Sequence, residues 1–158
     1  MLFSIIIPTY NRSSVLEHSI KTVLSQNYED FELIVSDNHS HDNTANLVKS
    51  INDERLVYTT PPKHCCMAKN WEHALSKARG KYIFFLGDDD GLVKNGLTQV
   101  AKLVELYEPH AISWRKVDYN WPNSAKKPNI ATISLEQKIY KMRSLPVLFL
   151  IAKGLSQY

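Results

Sequence analysis

Gly80-Lys81-Tyr82-Ile83-Phe84-Phe85-Leu86-Gly87-Asp88-Asp89-Asp90-Gly91 decides the fold class. Tyr82 to Leu86 is an unbroken apolar run, too short for a helix and suited to a strand buried on both faces. Such a strand belongs to a parallel sheet with helices on either side. It leads directly into three adjacent carboxylates. Like charges side by side repel, and a solvated acidic turn capping the next helix would tolerate them at little cost. Their place at a strand end supports another reading, because parallel sheets bind ligands outside the carboxyl ends of their strands. In extended backbone alternate side chains share a side, so Asp88 and Asp90 would converge while Asp89 points away. Two converging carboxylates form a hard oxygen site suited to Mn²⁺ or Mg²⁺.

Outward from this stretch the chain alternates. Leu2 to Ile7 is an apolar run interrupted only by Ser4 and stopped by Pro8. Asn11, Ser13 and Ser14 offer helix caps, and Val15, Leu16, Ile20, Val23 and Leu24 then recur at helical spacing. Phe31 to Val35 reads as a second strand. Ala45 to Ile51 reads as a short helix, and Arg55 to Tyr58 as a third strand closed by Pro61-Pro62. Ala68, Trp71, Leu75 and Ala78 lie on one helical face, with Gly80 as the stop. Leu97 to Tyr107 carries a further stripe. Ala111 to Trp114 is the candidate fifth strand, and Ile139 to Lys153 is expected to hold one or two helices. Strand and helix in alternation predict an α/β, Rossmann-like, mostly parallel sheet flanked by helices.

The 158 residues are 44% apolar and 22% charged, which fits one globular domain and excludes a disordered or collagen-like chain. No apolar run approaches the ~18 residues of a membrane-spanning helix. The opening residues carry no basic leader pattern, so no signal peptide is expected. Cys65 and Cys66 are neighbours with no third cysteine to pair with, which suits reduced thiols in the cytoplasm. The net charge of +3 is unevenly spread: residues 1–110 carry −3 and residues 111–158 carry +6. A basic tail is first a solvated surface, and beyond that a candidate for nucleic acid, an anionic membrane face or an acidic partner.

Among other polar residues, Asp37 closes the second strand. It could accept hydrogen bonds from a base or ribose, although Asx turns use aspartate in the same way. Asp42 reads as the cap of the helix opened by Asn43 and Thr44. His39, His41 and Asp42 lack the partner motif of a zinc site, and His64-Cys65-Cys66 has no feature that would activate a thiol. Lys69 and Asn70 sit early in the third helix, where a cation and an amide could face phosphate, or simply solvent. Neither a GxGxxG nor a P-loop motif is present.

Over about the first 115 residues the chain resembles family 2 glycosyltransferases of the GT-A fold. The resemblance rests on four motifs in order. Phe3-Ser-Ile-Ile-Ile-Pro-Thr-Tyr-Asn-Arg12 is similar to the family's opening strand and nucleotide loop. Phe31-Glu-Leu-Ile-Val-Ser-Asp-Asn-His-Ser-His-Asp-Asn-Thr44 is similar to its strand followed by D-[DN]-G-S-x-D. Met67-Ala-Lys-Asn-Trp71 resembles a nucleotide-contacting region. Gly80 to Asp90 resembles G-[EK]-Y-I-x-F-L-D-x-D-D, which carries the metal-binding DxD.

The resemblance implies a nucleotide loop of Pro8, Thr9, Tyr10 and Arg12, a base held by Asp37, and Lys69 and Asn70 near the nucleotide. It further implies that Asp88, Asp89 and Asp90 hold ribose and Mn²⁺ or Mg²⁺. Gly87 stands where the family's first DxD aspartate is expected, which shifts weight to Asp89, and His39 stands where the family has glycine. The activity implied is inverting transfer from a nucleotide-sugar, most simply a UDP-sugar, to a glycan or lipid-linked acceptor, with no nucleic-acid partner. The enzyme would work in the cytoplasm, with its basic tail against the inner membrane face. Residues 1–115 would form the donor-binding core and 116–158 the beginning of an acceptor side. Only Asp118 and Glu136 are acids after Glu108, and neither sits in a recognisable motif, so the catalytic base is unassigned. The expectation is a donor-binding part of a larger enzyme, or a nucleotide-binding module that is catalytically incomplete.

Overall fold

The computed structural model describes residues 1–113 and 150–151. Their order is β1 (Phe3–Thr9), α1 (Ser13–Leu24), β2 (Phe31–Asp37), α2 (Thr44–Ser50), β3 (Leu56–Thr59), α3 (Met67–Leu75), β4 (Tyr82–Phe85), α4 (Gly96–Tyr107) and β5 (Leu150–Ile151). The strands form one sheet in the order β3-β2-β1-β4-β5, and every pairing is parallel. The α/β sheet expected from the alternation is therefore present.

The pleat explains the layers. Phe3, Ile5, Ile7, Leu33, Val35 and Phe84 face one side, where Leu16, Ile20 and Val23 of α1, Val48 of α2, and Leu97 and Val104 of α4 cover them. Ile6, Ile34, Ile83 and Phe85 face the other, against Ala74, Trp71 and Leu75 of α3. The Trp71 ring stacks on Phe85 with centroids 5.0 Å apart.

Three boundaries differ from the sequence reading. First, β1 runs through Pro8 to Thr9. Leu86 donates to the Ile6 carbonyl, so the even residues of β1 turn toward β4, and the β1–β4 pairing ends at Ile6 and Phe85. The N–H that Pro8 lacks would face an already open stretch, where proline is tolerated.

Second, α3 ends at Leu75, well before Gly80. Gly80 serves close approach rather than helix termination: a Cβ there would lie 2.5 Å from the Phe3 carbonyl carbon and the Ser4 nitrogen.

Third, Ala111 to Ser113 form no strand. The place beside β4 is taken by Leu150–Ile151, within the stretch expected to be helical. Trp114, Asp118, Glu136 and the rest of the basic tail lie outside the described residues.

Beneath the sheet, Glu32 is 1% exposed and ties three segments together. It accepts from the Ser4 hydroxyl (2.6 Å), the Arg79 backbone N–H (2.7 Å), and Arg79 Nε and Nη2 (2.9 and 2.8 Å). This anchor sets the approach to β4, and hence the place of the acidic loop at its far end.

Candidate functional site

β1, β2 and β4 are adjacent, so their carboxyl ends bring Thr9, Asp37 and Asp88 to one edge. Sheet order also reverses at β1, the kind of switch point where parallel sheets hold ligands. Thr9 is buried and donates its hydroxyl to Asp88 Oδ2 at 2.9 Å. Ser19 of α1 donates to the Asp88 carbonyl at 2.8 Å. Arg12 spans two acids, with Nη1 3.5 Å from Asp88 Oδ1 and Nη2 2.8 Å from Asp89 Oδ2. Burial pushes the Asp88 carboxyl above the usual range. The Thr9 hydrogen bond and the Arg12 charge oppose that shift, and Asp89 adds to it.

The acidic loop is a turn, not extended chain. Asp90 N–H donates to the Gly87 carbonyl at 3.1 Å, which places Asp88 and Asp89 at the turn's centre. The alternation that would have paired Asp88 with Asp90 therefore does not apply. Asp89 and Asp90 instead approach each other above Gly87. A Cβ at Gly87 would meet Asp90 Oδ2 at 2.6 Å and Asp89 Oδ1 at 3.1 Å, so the absence of a side chain leaves room for both carboxylates. Three carboxylates around one turn have the donor chemistry of a hard divalent cation. Among the described residues no three His, Cys, Asp or Glu side chains form a ready-made metal cluster, and Arg12 brings positive charge to this turn.

Asp37 is 2% exposed. Its Oδ1 accepts the Ser40 N–H at 2.9 Å and its Oδ2 accepts the Tyr58 hydroxyl at 2.7 Å. Next to it, His39 adopts φ 61°, the left-handed conformation that glycine takes without strain, and its Nε2 lies 2.8 Å from the Pro61 carbonyl. The turn thus keeps its shape without glycine. Asn38 holds the segment that follows β3 by a two-way bond with Cys65: Nδ2 donates to the Cys65 carbonyl (2.7 Å), and Cys65 N–H donates to Oδ1 (3.0 Å). His64 is thereby set against the exposed Tyr10 ring, with centroids 4.9 Å apart.

Asp42 caps more than the sequence reading assigned to it. It accepts from Thr44 N–H at 3.0 Å and also from Ser13 N–H at 2.9 Å, the first residue of α1. Burial would raise its pKa, but the hydrogen bonds from Thr44 and Ser13 outweigh that and hold it at about 2. Asn70 is buried and exchanges hydrogen bonds with Ser36, pinning α3 to β2. Lys69 is exposed and pairs with Glu72 at 3.2 Å. Pro8 is half-buried in β1. Thr9, Arg12, Asp88 and Asp89 therefore meet directly, while Lys69 and Asn70 make their contacts elsewhere. Tyr58, Ser40 and Ser19 went unnoticed in the sequence. Only the β2–β3 register, which pairs Val35 with Tyr58, brings that hydroxyl to Asp37.

Residues 4–155 match the family model Glycosyl transferase family 2. A GalNAc(5)-diNAcBac-PP-undecaprenol beta-1,3-glucosyltransferase of Campylobacter jejuni is 36% identical over 102 residues, covering 63% of this chain and 33% of that protein. A UDP-Glc:alpha-D-GlcNAc-diphosphoundecaprenol beta-1,3-glucosyltransferase of Escherichia coli is 40% identical over 98 residues, covering 61% and 38%. The chain thus spans about a third of the length of these relatives. S. aureus TarS 1-349, solved in complex with UDP-GlcNAc, superposes with a TM-score of 0.70 at 23% identity, over 80% of this chain and 37% of that one. A Pyrobaculum calidifontis mannosyltransferase, solved in complex with GDP-Man and Mn²⁺, gives 0.58 at 23% identity, over 65% and 32%. The fold is the GT-A arrangement, and the family match across nearly the whole chain makes it a member of glycosyl transferase family 2.

Proposed function

We propose that this chain is the donor-binding part of an inverting glycosyltransferase. It takes a nucleotide-sugar, most simply a UDP-sugar, and passes the sugar to a hydroxyl of a glycan or lipid-linked acceptor. The observation that carries this reading is the meeting of Thr9, Arg12, Asp88 and Asp89 at one sheet edge, beside a buried Asp37 on the adjacent strand. Support for the donor and acceptor classes comes from the Escherichia coli relative, whose name gives UDP-Glc as donor and a diphosphoundecaprenol-linked sugar as acceptor.

In this reading Asp37 accepts a base N–H and Tyr10 lines the nucleotide loop with Pro8. Thr9 and Arg12 orient the acidic turn toward ribose and diphosphate. Asp88, Asp89 and Asp90 would hold Mn²⁺ or Mg²⁺, which when bound supplies positive charge to the leaving diphosphate. Arg12 adds a fixed cation on the same side. The donor-binding core covers residues 1–115 and the acceptor side begins in 116–158. With a lipid-linked acceptor the site would sit at the cytoplasmic membrane face, the +6 segment 111–158 turned to anionic headgroups. No helix among the described residues is long and apolar enough to cross a membrane. A second reading is nucleotide binding without transfer, since the residues that meet at this edge among those described belong to the nucleotide loop and the acidic turn.

Calorimetric titration with UDP, GDP and TDP, with and without Mn²⁺, tests the proposal. UDP should bind best, and more tightly with Mn²⁺. Asp89→Asn with Asp90→Asn should remove the metal dependence and leave the fold intact. Equal UDP affinity in EDTA and in Mn²⁺ sinks the metal assignment. Transfer to lipid-linked acceptors by this chain, measured against donor hydrolysis, separates the enzyme from the binding module.

A further inference from the structure

We propose that Tyr58 is a positioning residue: its hydroxyl fixes the Asp37 carboxylate as a pure acceptor, and so sets a preference for a nucleotide base with a ring N–H over one with a bare ring nitrogen. This rests on the reading of Asp37 as the base-binding group. Asp37 is 2% exposed, and among the described residues it has no ion-pair partner. A carboxylate has about four acceptor positions. Two are filled, by Ser40 N–H and Tyr58 OH. A buried anion with two donors and no cation is costly to the fold alone, and a ligand donor would relieve that cost.

The two donors also fix the orientation of the carboxylate. Ser40 holds Oδ1 through the backbone of the turn bent at His39, and Tyr58 holds Oδ2 from the neighbouring strand, so the group cannot rotate without breaking one bond. The Tyr58 proton stays on tyrosine: burial first, then the hydrogen bond to Asp37 and its charge, push the phenol well above its usual pKa. Lys49 Nζ lies 5.8 Å from the Tyr58 ring centroid and steadies the ring from α2. The lone pairs left on Asp37 can meet uracil or thymine, which carry N3–H. They repel the unprotonated N3 of cytosine.

The experiment compares UDP and CDP affinities by calorimetry for the unaltered chain, Tyr58→Phe and Asp37→Ala. The unaltered chain should prefer UDP. Tyr58→Phe removes one oxygen and keeps the ring, so the circular dichroism spectrum should be retained, while the freed carboxylate can rotate or take up a proton and turn donor toward cytosine N3. The UDP:CDP ratio should fall about tenfold, the order of one hydrogen bond between carboxyl and base. General loosening of the site would weaken both nucleotides alike and leave the ratio unchanged, so the ratio isolates positioning. An unchanged ratio in Tyr58→Phe, with a collapsed one in Asp37→Ala, overturns the role of Tyr58 and keeps Asp37 as the base reader. An unchanged ratio in Asp37→Ala overturns both. Equal UDP and CDP affinity in the unaltered chain also overturns the inference, whether or not either variant folds.

Discussion

Arg79→Ala should destabilise this fold far more than the exposure of Arg79 suggests. The Arg79 side chain is 67% exposed, which would normally mark a surface ion pair worth about 0–1 kcal/mol. Its partner changes the estimate, because Glu32 is 1% exposed. The substitution withdraws the Nε and Nη2 donors and leaves Ser4 Oγ and the Arg79 N–H on a carboxylate that stays charged and enclosed. Two lost hydrogen bonds to a buried charge would cost roughly 3–6 kcal/mol. Water entering from the exposed arginine side screens part of that, and about 2–4 kcal/mol remains. In a urea titration followed by intrinsic fluorescence, with a slope of about 2 kcal/mol/M, the midpoint should fall by ~1–2 M.

The pH dependence gives an independent check. Burial raises the pKa of Glu32, but the hydrogen bonds from Ser4 and Arg79 and the Arg79 charge outweigh it, so the folded value lies below the ordinary 4.5. A carboxyl with a lowered folded pKa contributes stability that is present above its unfolded value and lost as pH falls through the folded value. The gap between the unaltered chain and Arg79→Ala should therefore be constant near neutrality and narrow below pH 4.5. A midpoint shift under ~0.3 M, or a gap independent of pH, would refute the buried-anchor account.

Three further outcomes follow from local geometry and charge. Gly80→Ala sets a methyl 2.5 Å from β1 backbone atoms that cannot yield, so it should cost several kcal/mol and be visible as a large drop in thermal midpoint. Gly87→Ala meets only the movable ends of Asp89 and Asp90; the midpoint should hardly change while Mn²⁺ affinity, measured by titration, falls. Desolvation would raise the pKa of Asp42, but hydrogen bonds from Thr44 and Ser13 outweigh it and hold it at about 2, so its contribution is present above the ordinary 3.8 and lost as pH falls toward 2. Asp42→Asn should flatten the stability curve across that window, and an unchanged acid limb would count against the double cap.

What was legible in the sequence follows the range of the forces involved. β1, β2 and β4 announce themselves because a central parallel strand must be apolar on both faces, and their runs say so without reference to the rest of the chain. The fifth strand does not. Ala111 to Trp114 and Leu150–Ile151 are both short and apolar, and only pairing beside β4 separates them. The residue types of the site were also legible: Thr9 and Asp37 end their strands, and Arg12 and Asp88 to Asp90 lie in the segments that follow them. Their partners were not. Tyr58 reaches Asp37 across 21 positions and Asp42 reaches Ser13 across 29, distances at which one sequence carries no periodic signal. Alternation failed at Asp88 to Asp90 for a local reason, since the Gly87–Asp90 hydrogen bond closes a turn where an extended chain was assumed.

Charge gives the last step. The carboxyl edge gathers Asp37, Asp88, Asp89 and Asp90, and Arg12 pairs with two of them, Asp88 and Asp89. A nucleoside diphosphate brings more negative charge to the same edge. One guanidinium, itself half exposed, is little positive charge against these carboxylates and a diphosphate, and burial already raises the pKa of Asp88. In the proposed reading, donor binding at this edge gains if further positive charge arrives with the ligand or from residues outside those described, or if Asp88 takes up a proton. A divalent ion does the first in one step and uses carboxylates that otherwise repel one another. Proton uptake would instead make donor binding weaken as pH rises through the Asp88 value, and would leave it indifferent to chelators. The two routes predict different responses to EDTA: chelation weakens donor binding that runs through a divalent ion and leaves binding through a protonated Asp88 unchanged.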